Sequence, residues 1–369
     1  MSQDKEKALD TMAGHLAIAC RQCLSPEGEV TGDLPAFARD PAELVALYRA
    51  LVLTRVFDEK SVALQRTGRL GTFASSLGQE AVGVGVASAM RAEDVFVPSF
   101  REQAGQLVRG VTPEELLSYW GGDERGSDFA GPREDFPVSI PVGSHVPHAA
   151  GVALAFQMRG EARVAVCVFG DGATSKGDFY EALNMAGVWN VPAVFVVNNN
   201  QWAISVPRAR QTAAATLAQK ASSAGIACEQ VDGNDVVAVR AASSEAIERA
   251  RAGGGPTLIE ALTYRLADHT TADDAHRYRA DEEVSAHWRE EPVARLRTYM
   301  VAQGCWSKED EEALLVASRS RVDEAARAVA ERAPAPVTDM FDYLFAELPS
   351  DLVRQRARAV AGGKERGNG

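Results

Sequence analysis

Residues 164–205, VAVCVFGDGATSKGDFYEALNMAGVWNVPAVFVVNNNQWAIS, open on an apolar run, Val164 to Phe169, with the length and β-branched content of a parallel strand buried on both faces. The run halts at Gly170-Asp171-Gly172, where two glycines let the backbone turn sharply and approach a ligand. Phe179, Leu183, Ala186 and then Val188 or Trp189 follow at a spacing that covers one face of a helix. A second apolar strand, Ala193 to Val197, ends in Asn198-Asn199-Asn200. Strand, helix, strand is a βαβ unit, and its crossover is expected to be right-handed. Asp171 and the asparagines then share the carboxyl-terminal edge of two parallel strands, where open α/β sheets bind ligands.

One carboxylate, one amide oxygen and a nearby backbone carbonyl are hard oxygen ligands, too few to enclose a cation alone. Mg²⁺ is usually bound this way, with phosphate oxygens and water completing an octahedron. The residues therefore point to a Mg²⁺-diphosphate site on a parallel sheet. Gly-Asp-Gly by itself is an ordinary turn; its place after a buried strand, with asparagines ending the next one, gives it meaning. Two other phosphate motifs fail. A Walker loop needs Gly-Lys followed by Ser or Thr, whereas the order here is Lys176-Gly177-Asp178. A dinucleotide fingerprint needs a third glycine where Ser175 stands.

GDG, one βα unit, then NN resembles the thiamine diphosphate signature. The whole stretch is similar to the alpha subunit of the thiamine-dependent first component of 2-oxo acid dehydrogenase complexes. The same likeness runs through TRVFDEKSVALQRTGRLGTFASSLGQEA (54–81), PSFREQAGQL (98–107), IPVGSHVPHAAGVALA (140–155), QVDGNDVVAV (230–239), PTLIEALTYRLADHTTADDAHRYR (256–279) and VTDMFDYLFAELP (337–349). It covers roughly residues 40 to 350.

The resemblance implies a thiamin diphosphate-binding fold: α/β, with a doubly wound, mostly parallel sheet, helices on both faces and helical extensions at either end. It implies Mg²⁺ held by Asp171, Asn200 and the carbonyl of Trp202, with Gly172 and Ala173 offering N–H groups to the diphosphate. Arg101 and the residue before it contact the cofactor; here that neighbour is Phe100, where relatives carry tyrosine. On residues alone, Arg101 reads equally as a surface ion-pair partner. Ile140, Pro141, Val142 and Gly143 match a segment whose backbone meets the aminopyrimidine ring. His269 is the expected catalytic side chain, assisting substrate binding and acyl transfer, with Arg265 a second basic residue of the same loop. Asp178 and Glu181 lie one helical turn apart; they are either a solvated acidic face or part of an acidic proton tunnel joining two active sites. His145 and His148 are read as capping or packing residues. Glu80 is read as structural, because the family's activating glutamate belongs to a beta chain.

The implied reaction is decarboxylation of a small 2-oxo acid and transfer of the acyl unit to a lipoyl arm. With one thiamine-type domain present, the pyrimidine half of the site is expected from a separate beta subunit, giving two alpha and two beta chains around a dihydrolipoamide acyltransferase core. SVPRARQTAAATLAQKA (205–221) and VPHAAG (146–151) resemble the pyruvate branch of the family more than the branched-chain one. Two rival readings are a non-catalytic scaffold and a Mg²⁺-dependent phosphohydrolase. Retention of Asp171, Asn200, Arg101 and His269 argues against the first, and the lack of a second acidic cluster against the second. Relatives regulated by phosphorylation carry serines after the histidine; Thr270, Thr271 and Ala272 stand here, so that control is not expected.

Bulk properties agree. The 369 residues are 46% hydrophobic and carry a net charge of −12 spread along the chain, which argues against nucleic-acid or anionic-membrane surfaces. No apolar run is long enough to span a bilayer. MSQDKEKALD has neither a secretory nor a transit-peptide pattern, and the five cysteines fit a reducing cytoplasm. Cys20 and Cys23 form a lone CxxC, half of what a zinc site needs. The expected organisation is a loosely docked extension over 1–40, opening on a helix, then the α/β domain over 41–280. A helical region over 281–361 and a disordered tail over 362–369 complete it. Helices are expected at 41–68, 213–223 and 235–252, with strands at 227–231 and 256–264. The Gly/Pro/charge-rich loop 121–138 lacks the histidine that many relatives carry there.

Overall fold

The computed structural model describes residues 18–366. Eight strands are β1 (Cys20–Arg21), β2 (Val95–Pro98), β3 (Ala165–Gly170), β4 (Ala193–Asn199), β5 (Trp202–Ala203), β6 (Val206–Pro207), β7 (Ala227–Asp232) and β8 (Thr257–Leu262). Six of them form one parallel sheet in the order β1-β7-β8-β4-β3-β2, while β5 and β6 make a small antiparallel hairpin. The long helices of the α/β part are α1 (Pro41–Arg66), α2 (Glu80–Ser88), α3 (Gln103–Arg109), α4 (Pro113–Trp120), α5 (His145–Arg159), α6 (Gly177–Trp189) and α7 (Val236–Arg251). Beyond them come α8 (Asp281–His287), α9 (Pro292–Ala302), α10 (Lys308–Glu331), the single turn α11 (Asp339–Asp342) and α12 (Ser350–Arg366).

The central strands show why their sequences are unbroken apolar runs. Along β3, Val166 and Val168 enter one core while Ala165, Cys167 and Phe169 enter the other. Along β4, Val194 and Val196 oppose Ala193, Phe195 and Val197 in the same way. Side chains alternate with period two, so a strand covered on both faces must be apolar at every position. Helices α5 and α6 cover one face, and α1, α2 and α7 the other. The chain runs β2, β3, β4 in one direction across the sheet, then β7 to β8 in reverse. Right-handed crossovers of opposite direction place their helices on opposite faces. The doubly wound parallel sheet expected from the sequence is therefore present, and its direction changes beside β4, next to the Asn198–Asn200 edge.

Helix α1 begins at Asp40, whose carboxylate accepts from the Ala42 N–H at 2.9 Å, with Pro41 at its first position. It stops before Gly68, which takes a φ of 72°. Helix α2 is buried on every side. A side chain at Gly83 would meet Ala104 Cβ and the Gly105 nitrogen of α3 at 2.7 Å, so the helices touch backbone to backbone. Gly83→Val is expected to destabilise the fold by roughly 1–3 kcal/mol through overpacking, measured by urea unfolding.

Several expectations are corrected. Residues 213–223 are not an α-helix: a 3-10 turn, Ala218–Ala224, is preceded by irregular chain held by Arg208, which donates to the Ala214 carbonyl at 2.8 Å. Part of the extension expected to dock loosely is built in. Strand β1 pairs with β7, Arg21 makes a two-pronged bond to Glu245 at 2.6 Å, and Asp235 accepts from the Cys23 and Leu24 N–H groups at 2.7 Å. The helix expected at the start of the chain lies outside the described residues. The tail expected to be disordered is helical as far as Arg366, and the rest of it lies outside the described residues. Strand β2, which supplies the edge carrying Arg101, is too short to stand out in the sequence. All five cysteines are free thiols, with Cys23 buried and Cys20 exposed.

Candidate active site

The carboxyl ends of β2, β3, β4 and β8 converge on one cavity of about 190 Å³. Phe100, Arg101, Asp171, Asn200, Trp202 and His269 all line it, with Gly172, Ala173 and Val142 alongside. Arg101 and His269, 168 positions apart, meet because parallel strands bring their ends to one edge.

Asp171 ends β3 and is buried. Burial pushes its carboxyl up, and a hydrogen bond from Gln211 Nε2 to Oδ2 at 2.5 Å opposes that. Gly172 is required by packing, since a side chain there would meet Ala203 Cβ at 2.8 Å. Asn200 Nδ2 donates to Gln79 Oε1 at 2.9 Å, which fixes the amide's orientation. Its Oδ1 accepts from the Trp202 N–H at 3.2 Å and keeps a second lone pair. The hairpin that follows is strained, with Gln201 at φ 72° and the β-branched Ile204 at φ 56°. Arg265 braces it, donating to the carbonyls of Trp202 at 3.3 Å and Ile204 at 2.8 Å and to the Tyr278 hydroxyl at 2.9 Å.

Arg101 is buried and, among the described residues, forms no salt bridge; it donates to the carbonyl of Ser75 and to that of His269 at 2.8 Å. Burial and the neighbouring Arg265 lower it to about 10, so it remains a cation at neutral pH. His269 Nδ1 lies 3.2 Å from an Arg101 nitrogen and 3.4 Å from one of Arg265. A guanidinium only donates, so Nδ1 carries the lone pair and the ring proton sits on Nε2. Burial, then Arg101, then Arg265 depress this histidine to about 3, and it stays neutral across the physiological range. Phe100 meets its ring edge-on at 5.9 Å.

The donor set fits a Mg²⁺-diphosphate. A carboxylate, an oriented amide oxygen and a carbonyl face one cavity with an unpaired buried guanidinium. Among the described residues no three His, Cys, Asp or Glu side chains form a metal site, so a cation here would draw on phosphate oxygens and water. The Trp202 carbonyl accepts from Arg265 at 3.3 Å and, like the Asn200 amide oxygen, keeps a second lone pair.

A family model described as Dehydrogenase E1 component matches residues 48–338. The chain belongs to the dehydrogenase E1 component family. Among relatives of this E1 chain, the 3-methyl-2-oxobutanoate dehydrogenase subunit alpha of Mycobacterium tuberculosis is 43% identical, covering 92% of this chain and 93% of that one. The pyruvate dehydrogenase E1 component subunit alpha of Bacillus subtilis is 38% identical, covering 90% of each chain. That of Mycoplasma pneumoniae is 38% identical over 83% and 86%. The chain is thus an E1 alpha of the 2-oxo acid dehydrogenases, and its relatives carry both substrate names.

Not every expected residue of this E1 chain reaches the cavity. Arg265 stands behind it, beside His269. Ile140 and Val142 are 50% and 44% exposed, and only Val142 lines the cavity. Asp178 and Glu181 point outward on α6, Asp178 toward Lys176 at 3.7 Å. The loop 121–138 packs on α4 through Gly126 and Phe129, and contributes nothing to the cavity. Glu80 pairs with Arg55 at 2.5 Å and is structural. His148 is exposed. Gln79, Gln211 and Glu102 were not foreseen. Glutamines carry no pattern, though Gln79 precedes the glycine-rich helix and Gln211 sits in the family-like tract.

His145 is a packing histidine. It is 2% exposed, and its Nε2–H donates to the Val168 carbonyl at 3.1 Å. Burial depresses it to about 4. A histidine with a lowered folded pKa costs stability as pH falls below its unfolded value near 6.5 and until the folded pKa is reached. At pH 5 that cost is about 2 kcal/mol. His145→Gln, which keeps the donor, is expected to lose less Tm than the wild type between pH 8 and pH 5 in calorimetric scans.

Proposed function

We propose that this chain holds the diphosphate and Mg²⁺ of thiamine diphosphate and, with a beta chain, oxidatively decarboxylates a small 2-oxo acid and passes the acyl unit to a lipoyl group. The observation that carries this is the meeting of Asp171, Asn200 and Trp202 with the unpaired Arg101 and the neutral His269 around one cavity. Thiamine diphosphate, when bound, supplies the carbanion chemistry and electron sink that decarboxylation requires. Arg101 offers a fixed cation to the diphosphate. His269, its Nδ1 pinned by two guanidinium groups, presents an Nε2–H donor to an oxygen of the substrate. Asp178 and Glu181 join an acidic proton path only once a partner chain covers α6. Val142 and Ile204, both cavity-lining and about half exposed, support a second chain that closes the site and excludes water. On this reading the assembly has two alpha and two beta chains on an acyltransferase core with its lipoyl domain, in the cytoplasm. Among the described residues no helix is long and apolar enough to cross a membrane.

Pyruvate is the substrate on this reading, from the tracts at 146–151 and 205–221. A branched acid is the second reading, favoured by the 43% identical relative. The chain assembled with a beta chain of the same component is assayed with thiamine diphosphate, Mg²⁺ and each acid. The larger kcat/KM names the substrate, and failure of the assembly to bind thiamine diphosphate in calorimetry overturns the proposal.

A further inference from the structure

Glu102 lines the same cavity as Arg101, Asp171 and His269, and nothing above uses it. It is 3% exposed. It stands at the N-cap of α3, yet its side chain caps nothing. The adjacent Arg101 spends its guanidinium on the Ser75 and His269 carbonyls rather than on this carboxyl. Of the charges nearby, Asp171 is of like sign and His269 is neutral, while the Cys167 thiol beneath is pushed well up by burial. A carboxylate buried without a donor is costly, so the group favours its protonated form. Burial raises it to about 7 against the pull of Arg101. A protonated carboxyl has one O–H to donate. No described residue hydrogen-bonds its side chain, and its oxygens are not among the enclosed polar atoms left without a partner, so they open onto the cavity.

We propose that Glu102 is a further ligand-contacting residue, whose neutral carboxyl donates a hydrogen bond to an anionic oxygen of the molecule the cavity takes up. The oxygen belongs either to a diphosphate or to the carboxylate of a 2-oxo acid, so the inference rests on the functional reading above.

The test compares wild type, Glu102→Gln and Glu102→Leu in the chain assembled with its beta partner. Inorganic diphosphate with Mg²⁺ is titrated calorimetrically from pH 6 to 8.5, and KM for the 2-oxo acid is measured with saturating cofactor over the same range. Glu102→Leu is expected to weaken one of these roughly 10- to 100-fold, the loss of a hydrogen bond to a charged group. Glu102→Gln retains a donor and holds within about threefold of wild type at pH 6. Relative to Glu102→Gln, which cancels the ligand's own titration, wild-type binding is expected to fall as pH rises. Deprotonation removes the donor and sets a second negative charge beside the ligand. An effect on diphosphate assigns the cofactor oxygen, and an effect on KM alone assigns the substrate. Glu102→Leu is expected to melt no lower than wild type, because an unpaired buried carboxyl is replaced by an apolar group. A clear drop in Tm marks the carboxyl as structural and overturns the proposal, as do three proteins alike in both titrations. Asp171→Ala, run in parallel, separates the two levels: if it binds cofactor normally, the functional reading itself has failed.

Discussion

Asp171→Ala is expected to lower the affinity of the assembled enzyme for thiamine diphosphate with Mg²⁺ by at least about 100-fold, more than loss of an outer-sphere partner costs. Asp171 is the only carboxylate in the expected ligand set, and Gln211 holds one of its oxygens at 2.5 Å. Without it the cation faces two neutral oxygens backed by Arg101 and Arg265, so the local charge turns against a metal. The same change leaves the site attractive to a bare anion. Inorganic diphosphate without Mg²⁺ should therefore bind the variant at least as well as the wild type. The fold itself should not suffer. An aspartate whose folded pKa is raised contributes stability that is fully present below its unfolded value and is lost as pH rises from there through the folded pKa. Burial already disfavours this carboxylate, so the cofactor-free variant is expected to melt no lower than the wild type. Calorimetric titration with and without Mg²⁺ decides the matter, and Mg²⁺-dependent binding retained within a few-fold would sink the metal assignment.

Arg101→Ala is expected to damage both binding and stability. Its guanidinium is a rivet between three segments: the chain after α1 through the Ser75 carbonyl, the turn after β2 that carries it, and the His269 loop. Removing it leaves the buried Ser75 carbonyl, at a cost of about 1–3 kcal/mol, and the part-buried His269 carbonyl without this donor. The His269 ring also loses one of the cations that fix its tautomer. Cofactor affinity should fall roughly 10- to 100-fold, since a charge-assisted fork to phosphate is lost. Arg101→Lys should recover little, because a single ammonium cannot reach both carbonyls and the ligand. A further signature is thermal. In the wild type, bound diphosphate neutralises a buried cation, so saturating cofactor should raise Tm more than in either variant. Equal cofactor-induced shifts in all three proteins would confine Arg101 to a structural part.

The stretch 164–205 was enough to read a parallel α/β sheet, because a strand buried on both faces must be apolar at every position and a GDG turn must follow it. That Asp171 and Asn200 would meet at one edge was legible for the same reason, since motif and strand end coincide; Trp202 entered only through the family resemblance. Glu80 sits in an ion pair with Arg55 and not in the cavity lining. Short strands were not legible. Strand β1 is two residues long, and its partner lies more than two hundred positions away.

Local pattern in the amino-acid chain, then, determined the sheet, its two apolar cores and the metal-ligand candidates, since periodicity and turn chemistry act over a few residues. Only the tertiary structure decided that Gln211 grips Asp171, that two guanidinium groups fix the proton of His269 on Nε2, and that Glu102 stands buried without a partner. Those facts depend on side chains brought together from distant strand ends, and on how much water is excluded when they meet.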